Sequence, residues 1–135
     1  MLSTLLTLLG LMGTTISGPA RVVDGDTVIV NGTSIRLRGV DAAELGTARG
    51  ENAKRVMRAL VTGELTCRLT GEKTWGREVG YCMTADGIDI NQAIIASGAA
   101  LACPRYDDRY MRFERADALA AQPRAPYCKK WLKTN

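Results

Sequence analysis

Asp24, Asp26, Asp41 and Glu44 stand at the two ends of one largely apolar stretch, residues 22–44, VVDGDTVIVNGTSIRLRGVDAAE. Carboxylates hold hard cations and can take a proton from water, and the planar forks of Arg36 and Arg38 match phosphate oxygens. Acids converging beside arginines therefore suit a hard cation bound next to a phosphate. Whether they converge depends on the chain between them. Val22, Val23, Val28, Ile29, Val30, Ile35, Leu37 and Val40 are strand formers, and Asn31-Gly32 is a preferred two-residue hairpin turn. In an antiparallel hairpin the start of one strand lies beside the end of the next, so Asp26 and Asp41 meet at one end with Glu44 just beyond. Alternation with period two puts Arg36 and Arg38 on one face. Read singly, an acid beside an Asp-Gly turn belongs to an ordinary solvated hairpin. The combination is what points to chemistry.

The chain has 135 residues, the length of one small domain with one core. Eighteen lysines and arginines against 14 acids give a net charge of +4, which suits a polyanionic partner without requiring one. There is no histidine. That removes Ser-His-Asp triads, Cys-His dyads, HExxH zinc sites and histidine-metal nucleases. Acid–base or metal chemistry must run on carboxylates, lysines, tyrosines or backbone carbonyls.

Residues 1–20 carry no charged side chain, and an apolar run over residues 5–12 precedes small and polar residues. This reads as a secretory signal cleaved near Ser17, Gly18 or Ala20, leaving a mature chain from about Pro19 or Arg21 that is secreted or periplasmic. The run is short for a spanning helix, which needs about 20 apolar residues. An uncleaved N-terminal anchor is the alternative. Four cysteines, Cys67, Cys82, Cys103 and Cys128, form no CxxC pair, which argues against a zinc knuckle. After an export-like segment an even number suggests two disulfides. Of the three connectivities, Cys67–Cys82 across a hairpin and Cys103–Cys128 tying down the tail is the expected one; four reduced thiols in a cytosolic protein is the competing reading.

Beyond the hairpin, residues 46–50 read as a loop. A helix is predicted over residues 51–62, with Ala53, Val56, Met57 and Leu60 on one face. Strands are predicted over 64–69 and 77–84 with a turn-rich stretch between. Asp89 caps a short helix, with Gln92 placed as in a capping box and Ile90, Ala93 and Ile94 facing inward. A last helix is predicted over 107–121, with Phe113, Ala116 and Ala120 on one face. The tail has no usable periodicity; Trp131 is placed over an edge of the core. Five short strands with a helix between the third and fourth fit an OB-like barrel.

Five segments, VVDGDT, IRLRGVDAAE, WGR, ADG and DINQAIIASGAA, follow one another at spacings that resemble the staphylococcal nuclease (thermonuclease) family over about residues 21–121. The resemblance implies an α+β fold, a five-stranded OB-like β-barrel with three helices. It also implies a calcium-dependent endonuclease that hydrolyses DNA and RNA at the 5′ P–O bond and leaves 3′-phosphates. By the same resemblance Asp26 and Asp41 are calcium ligands, with the Ala42 carbonyl as a third and Asp24 acting through water. Glu44 orients or deprotonates the attacking water, and Arg36 and Arg77 hold the phosphate. Trp75 falls where an aromatic stacks near the nucleotide. Three features depart from the family pattern. Ala43 stands where many members have proline, and an extra residue between Arg77 and Ala85 suggests a bulge. The 46–50 loop is short, with Arg49 as its one cation for substrate binding, so single strands are expected to be favoured over long duplexes. The expected organisation is an export segment or anchor (1–20), a nuclease domain (21–121) and a disulfide-tied tail (122–135), acting as a monomer. The competing reading is a non-catalytic OB-like module that binds nucleic acid or protein.

Overall fold

The computed structural model describes residues 14–130. Thr14–Asp24 forms β1, Thr27–Val30 β2, Thr33–Leu37 β3, Val40–Asp41 β4, Glu64–Thr74 β5, Arg77–Thr84 β6 and Leu101–Ala102 β7. The helices are α1 (Ala48–Leu60), α2 (Ile90–Ala96) and α3 (Ala116–Ala121), with 3-10 turns at Met111–Phe113 and Pro126–Cys128. Strands β1, β2, β3, β6 and β5 close in that order into a barrel, and β4 pairs with β7 beside it. All barrel pairs are antiparallel except β3 with β6. This is the OB-like α+β architecture with three helices.

The β2–β3 hairpin forms as its residues dictate. Asn31 and Gly32 both take positive φ, 49° and 82°, the left-handed pair that matches strand twist. That turn fixes the register Val30↔Thr33 through Thr27↔Arg36. Val28, Val30, Ile35 and Leu37 then point inward and are fully buried. Ala53 and Met57 of α1 close one side of this core, with Val56 and Leu60 packed at its edge. Ile90, Ile94 and Ile95 of α2 add to it. Asp89 accepts from the Gln92 N–H as expected, while Ile95 and Asn91, rather than Ala93, join Ile90 and Ile94 inside.

Four local features differ from expectation. Helix α1 begins at Ala48 because Thr47 Oγ1 accepts from the Gly50 N–H, so residues 46–50 are a cap and a first turn rather than a loop. The helix expected over 107–121 breaks at Glu114 and Arg115, which are extended. There the Glu114 carboxylate accepts from the Ala102 N–H and pairs with Arg124 at 2.7 Å. Within the short α3 that remains, Ala118 is the buried residue, and Ala116 and Ala120 face solvent. The irregularity expected after Arg77 lies instead on β5, between Leu69 and Lys73.

The boundary expected at residues 20/21 falls inside β1. Thr14 to Pro19 pair with β5, and the Ser17 and Thr66 hydroxyls lie 2.9 Å apart. A cut near Ser17 or Ala20 would strip those pairs and open the barrel. The apolar run at residues 5–12 and Trp131 lie outside the described residues. Among the described residues no helix is long and apolar enough to cross a membrane.

Both expected disulfides are formed. Cys67 and Cys82 sit directly opposite on β5 and β6, and Cys103–Cys128 ties the segment after β7 to the tail. Replacing both cysteines of either pair with alanine should lower stability by about 2–4 kcal/mol. Urea midpoints read this directly, and four alkylatable thiols in the native protein would contradict it.

Candidate active site

A cleft of about 630 Å³ opens between the β1–β2 turn, the segment from β3 through β4 to Glu44, and the tip of the β5–β6 hairpin. Asp24, Asp26, Arg36, Ala42, Ala43 and Glu44 line one side, Trp75 and Arg77 the hairpin tip, and Tyr106 and Tyr127 the remaining wall.

Asp26 enters this cleft from a turn that only glycine allows. A Cβ on Gly25 would come within 2.6 Å of the Ala53 Cβ and 2.8 Å of the Ala42 Cβ, so its absence lets the turn press against α1 and Ala42. The Asp26 carboxylate is buried; it accepts from Thr27 Oγ1 at 3.1 Å and faces Arg36 Nη2 at 3.4 Å. The Asp26 N–H donates to Asp24 Oδ1 at 3.0 Å. Burial pushes the Asp26 carboxyl up to about 7; Arg36 pulls it back, and the neighbouring Asp24 carboxylate raises it further. Asp41 is also buried, and its Oδ2 accepts from the Ala125 N–H at 2.8 Å. Burial raises its pKa as well, offset in part by that bond and by Arg36. Arg36 Nη1 donates to the Leu37 and Val40 carbonyls at 3.0 and 2.9 Å, which fixes the guanidinium beneath both acids' field. The structure thus places Arg36 beside Asp26 and within the field of Asp41, which sits not on the hairpin's second strand, ended at Leu37, but on β4 paired with β7.

Glu44 reaches the cleft mouth because the chain turns sharply into α1. Its carbonyl accepts from Thr47 Oγ1 at 2.7 Å, and a Cβ on Gly50 would fall 1.8 Å from that same oxygen. Arg77 is anchored by its own fork: Nε donates to the Thr74 carbonyl and Nη1 to Thr27 Oγ1, both at 3.2 Å. Thr27 in turn donates to Asp26, so one hydroxyl links the arginine to the buried acid. Trp75 is 94% exposed at the hairpin tip, with φ of 50° followed by Gly76 at 77°. Its ring stands at the rim of the cleft. Arg49 is not brought to this site. In the first turn of α1 it faces a separate depression with Ser97 and Arg115.

Sequence reading passed over several residues that matter here. Asn91 is fully buried, accepts from the Cys82 N–H, and donates to the Arg38 and Gly80 carbonyls, where β3 and β6 part. Thr27, Gly50, Ala125 and Tyr127 also belong to the site or its supports. Tyr127 lies within the field of Arg36, Asp41 and Asp26, and burial raises its pKa. The one available signal for the tail residues was Cys128, whose disulfide had to return the tail to the domain.

Among the described residues no three acidic, histidine or cysteine side chains gather as a self-sufficient metal site. Buried Asp26 and Ala42 line the cleft, and buried Asp41 adjoins Ala42 in the chain. Both acids are pushed towards protonation by burial, the setting a cation relieves, and oxygen donors with loose geometry suit calcium with water and phosphate completing its shell.

Barrel and cleft together define a small OB-like domain of the nuclease type, with acids and arginines sharing one open site. The chain belongs to the staphylococcal nuclease family: residues 34–129 match the family described as Staphylococcal nuclease homologue. That match takes in Arg36, Asp41, Glu44, Arg77 and the tail as far as residue 129. Similar proteins include the succinoglycan biosynthesis protein ExoI of Rhizobium meliloti, 37% identical over 98 residues covering 64% of this chain and 51% of that protein. An uncharacterized endonuclease of Escherichia coli O157:H7 is 33% identical over 92 residues, 64% of this chain and 60% of its own. A probable staphylococcal-like nuclease CAN1 of Oryza sativa subsp. japonica is 34% identical over 88 residues, 63% of this chain and 26% of its own. The matched region thus spans between about a quarter and three-fifths of the length of these relatives.

Proposed function

We propose that this protein is a calcium-dependent phosphodiesterase that cuts DNA and RNA internally and leaves 3′-phosphates. The observation that carries this reading is the shared neighbourhood of Asp26, Asp41 and Arg36, with Arg77 joined to it through Thr27. Calcium, when bound, would be held by Asp26, Asp41 and the Ala42 carbonyl, with Asp24 acting through water, and would neutralise phosphate charge. Glu44 orients the attacking water or takes its proton, a role that falls to a carboxylate because the chain has no histidine. Arg36 and Arg77 donate to the nonbridging phosphate oxygens, where charge grows during reaction. Trp75 offers an exposed ring for a base to stack on. The relatives named as endonuclease and nuclease support the same reading.

Two disulfides favour a secreted or periplasmic setting, where such bonds persist. The protein acts as a monomer on single strands. Arg36, Arg38, Lys73 and Arg77 are the cations near the cleft, while Arg49 faces elsewhere. Binding to single-stranded DNA should therefore weaken with salt at a log–log slope of only about −1 to −3, since each single-strand contact contributes about −0.7. A slope several times steeper would mean a much larger basic footprint.

Incubating end-labelled single-stranded DNA, duplex DNA and RNA with the protein and calcium, then identifying product ends, tests the function. The expected result is internal cuts with 3′-phosphate ends, fastest on single strands. A second reading, a binding module without catalysis, is favoured by the Asp41 oxygen that the Ala125 N–H already occupies. Binding without any cleavage is the outcome that selects it.

A further inference from the structure

The tail segment 124–128 lies against the cleft and is locked there. The Cys103–Cys128 disulfide closes its far end. Arg124 pairs with Glu114 through both guanidinium nitrogens, at 2.7 and 2.8 Å, and also donates to the Ala102 carbonyl. Between these anchors the Ala125 N–H holds Asp41, and Tyr127 lines the cleft with 45% of its surface exposed. It shares that lining with Arg36. A phenol both donates and accepts, so its proton is available to an acceptor in the cleft.

We propose that this strap delivers Tyr127 as a third phosphate-binding side chain, its hydroxyl donating to a nonbridging oxygen of the phosphodiester that Arg36 also holds. This rests on the phosphodiesterase reading of the cleft. A removable plug would not be fixed by a disulfide and a nearly buried ion pair, so the strap is a permanent wall of the site. It also ties Asp41, next to the cleft residue Ala42, to the same wall through the Ala125 N–H.

The test compares wild type, Tyr127→Phe and Tyr127→Ala with a short single-stranded oligonucleotide. Binding is measured in chelator, and initial cleavage rates are measured in calcium. Intact mass confirms the disulfides, and thermal melting confirms the fold. Tyr127→Phe should weaken binding and raise KM about tenfold or more, the scale of a lost hydrogen bond to a charged group. Tyr127→Ala should fall at least as far. Wild-type binding by Tyr127→Phe overturns the proposal whatever the rate does, as does faster cleavage by either variant, which would mark a plug. If wild type binds in chelator but cleaves nothing with calcium, the phosphodiesterase reading fails while the binding comparison still decides the role of Tyr127. If binding in chelator is too weak to measure, the KM comparison decides. A wild type that neither binds nor cleaves overturns both.

Discussion

Arg77→Lys is expected to lower kcat by about a hundred- to a thousandfold with little change in KM, the loss typical of one donor aimed at transition-state charge. The reason lies in how the guanidinium is held. Nε and Nη1 are used on the Thr74 carbonyl and Thr27 Oγ1, which leaves the Nη2 edge for phosphate. Lysine keeps the charge but cannot anchor itself at two points and still present a planar donor. Glu44→Gln is the companion, since it removes the base and nearly keeps the shape; its kcat should fall on a similar scale. If Arg77 were only a strand residue, the lysine variant would cost less than about 1 kcal/mol of stability and leave kcat alone. Steady-state rates on single-stranded DNA at saturating calcium, with folding checked, separate the two. Near-normal kcat in both variants would rule out the assigned mechanism.

Asp26→Asn should abolish most activity and at the same time stabilise the metal-free protein. Burial raises the Asp26 carboxyl from 3.8 to about 7 in the folded chain. Between those values the folded state keeps a proton that the unfolded chain has released, so stability falls as pH rises from about 4 to about 7. Above that range the folded protein carries the whole penalty, on the order of a few kcal/mol. Asparagine removes the charge and keeps an oxygen for the Thr27 hydroxyl. Its urea midpoint in chelator should exceed wild type at pH 8 and approach it near pH 4. Calcium should stabilise wild type at pH 8 and have much less effect on the variant. A midpoint at pH 8 equal to or below wild type would show that the carboxylate is compensated in the folded state.

Much of this site was legible in the sequence because it depends on local rules. Asn31-Gly32 fixes a register, the register sets Arg36 opposite Thr27 and beside Asp26, and the order of strands and helices gives the barrel, whereas Asp41 is placed by the pairing of β4 with β7. What stayed hidden depends on tertiary contact. Gly50 looks like a loop glycine until the Glu44 carbonyl is seen beside it; α1 starts early because Thr47 caps it, and Arg49 in that first turn faces a separate depression. The helix expected over 107–121 failed because Glu114 is used across the fold by Ala102 and Arg124, which no periodicity reports. Tyr127 sits in a stretch without pattern, and only the pairing of Cys128 with Cys103 hinted that it returns to the site. Residues 14–20 look like the end of an export signal because they are small and uncharged. Small uncharged residues also suit a strand, and the barrel pairs Thr14 to Pro19 with β5 and Ala20 with β2.

The most direct measurement is the initial rate of single-stranded DNA cleavage by protein freed of metal with chelator and then titrated with calcium. Wild type should show no cleavage before calcium and a saturable return with it, while Asp26→Asn shows no comparable return over the same range. Undiminished cleavage in chelator, or full restoration of Asp26→Asn by the same calcium, would contradict a calcium site built on Asp26 and Asp41.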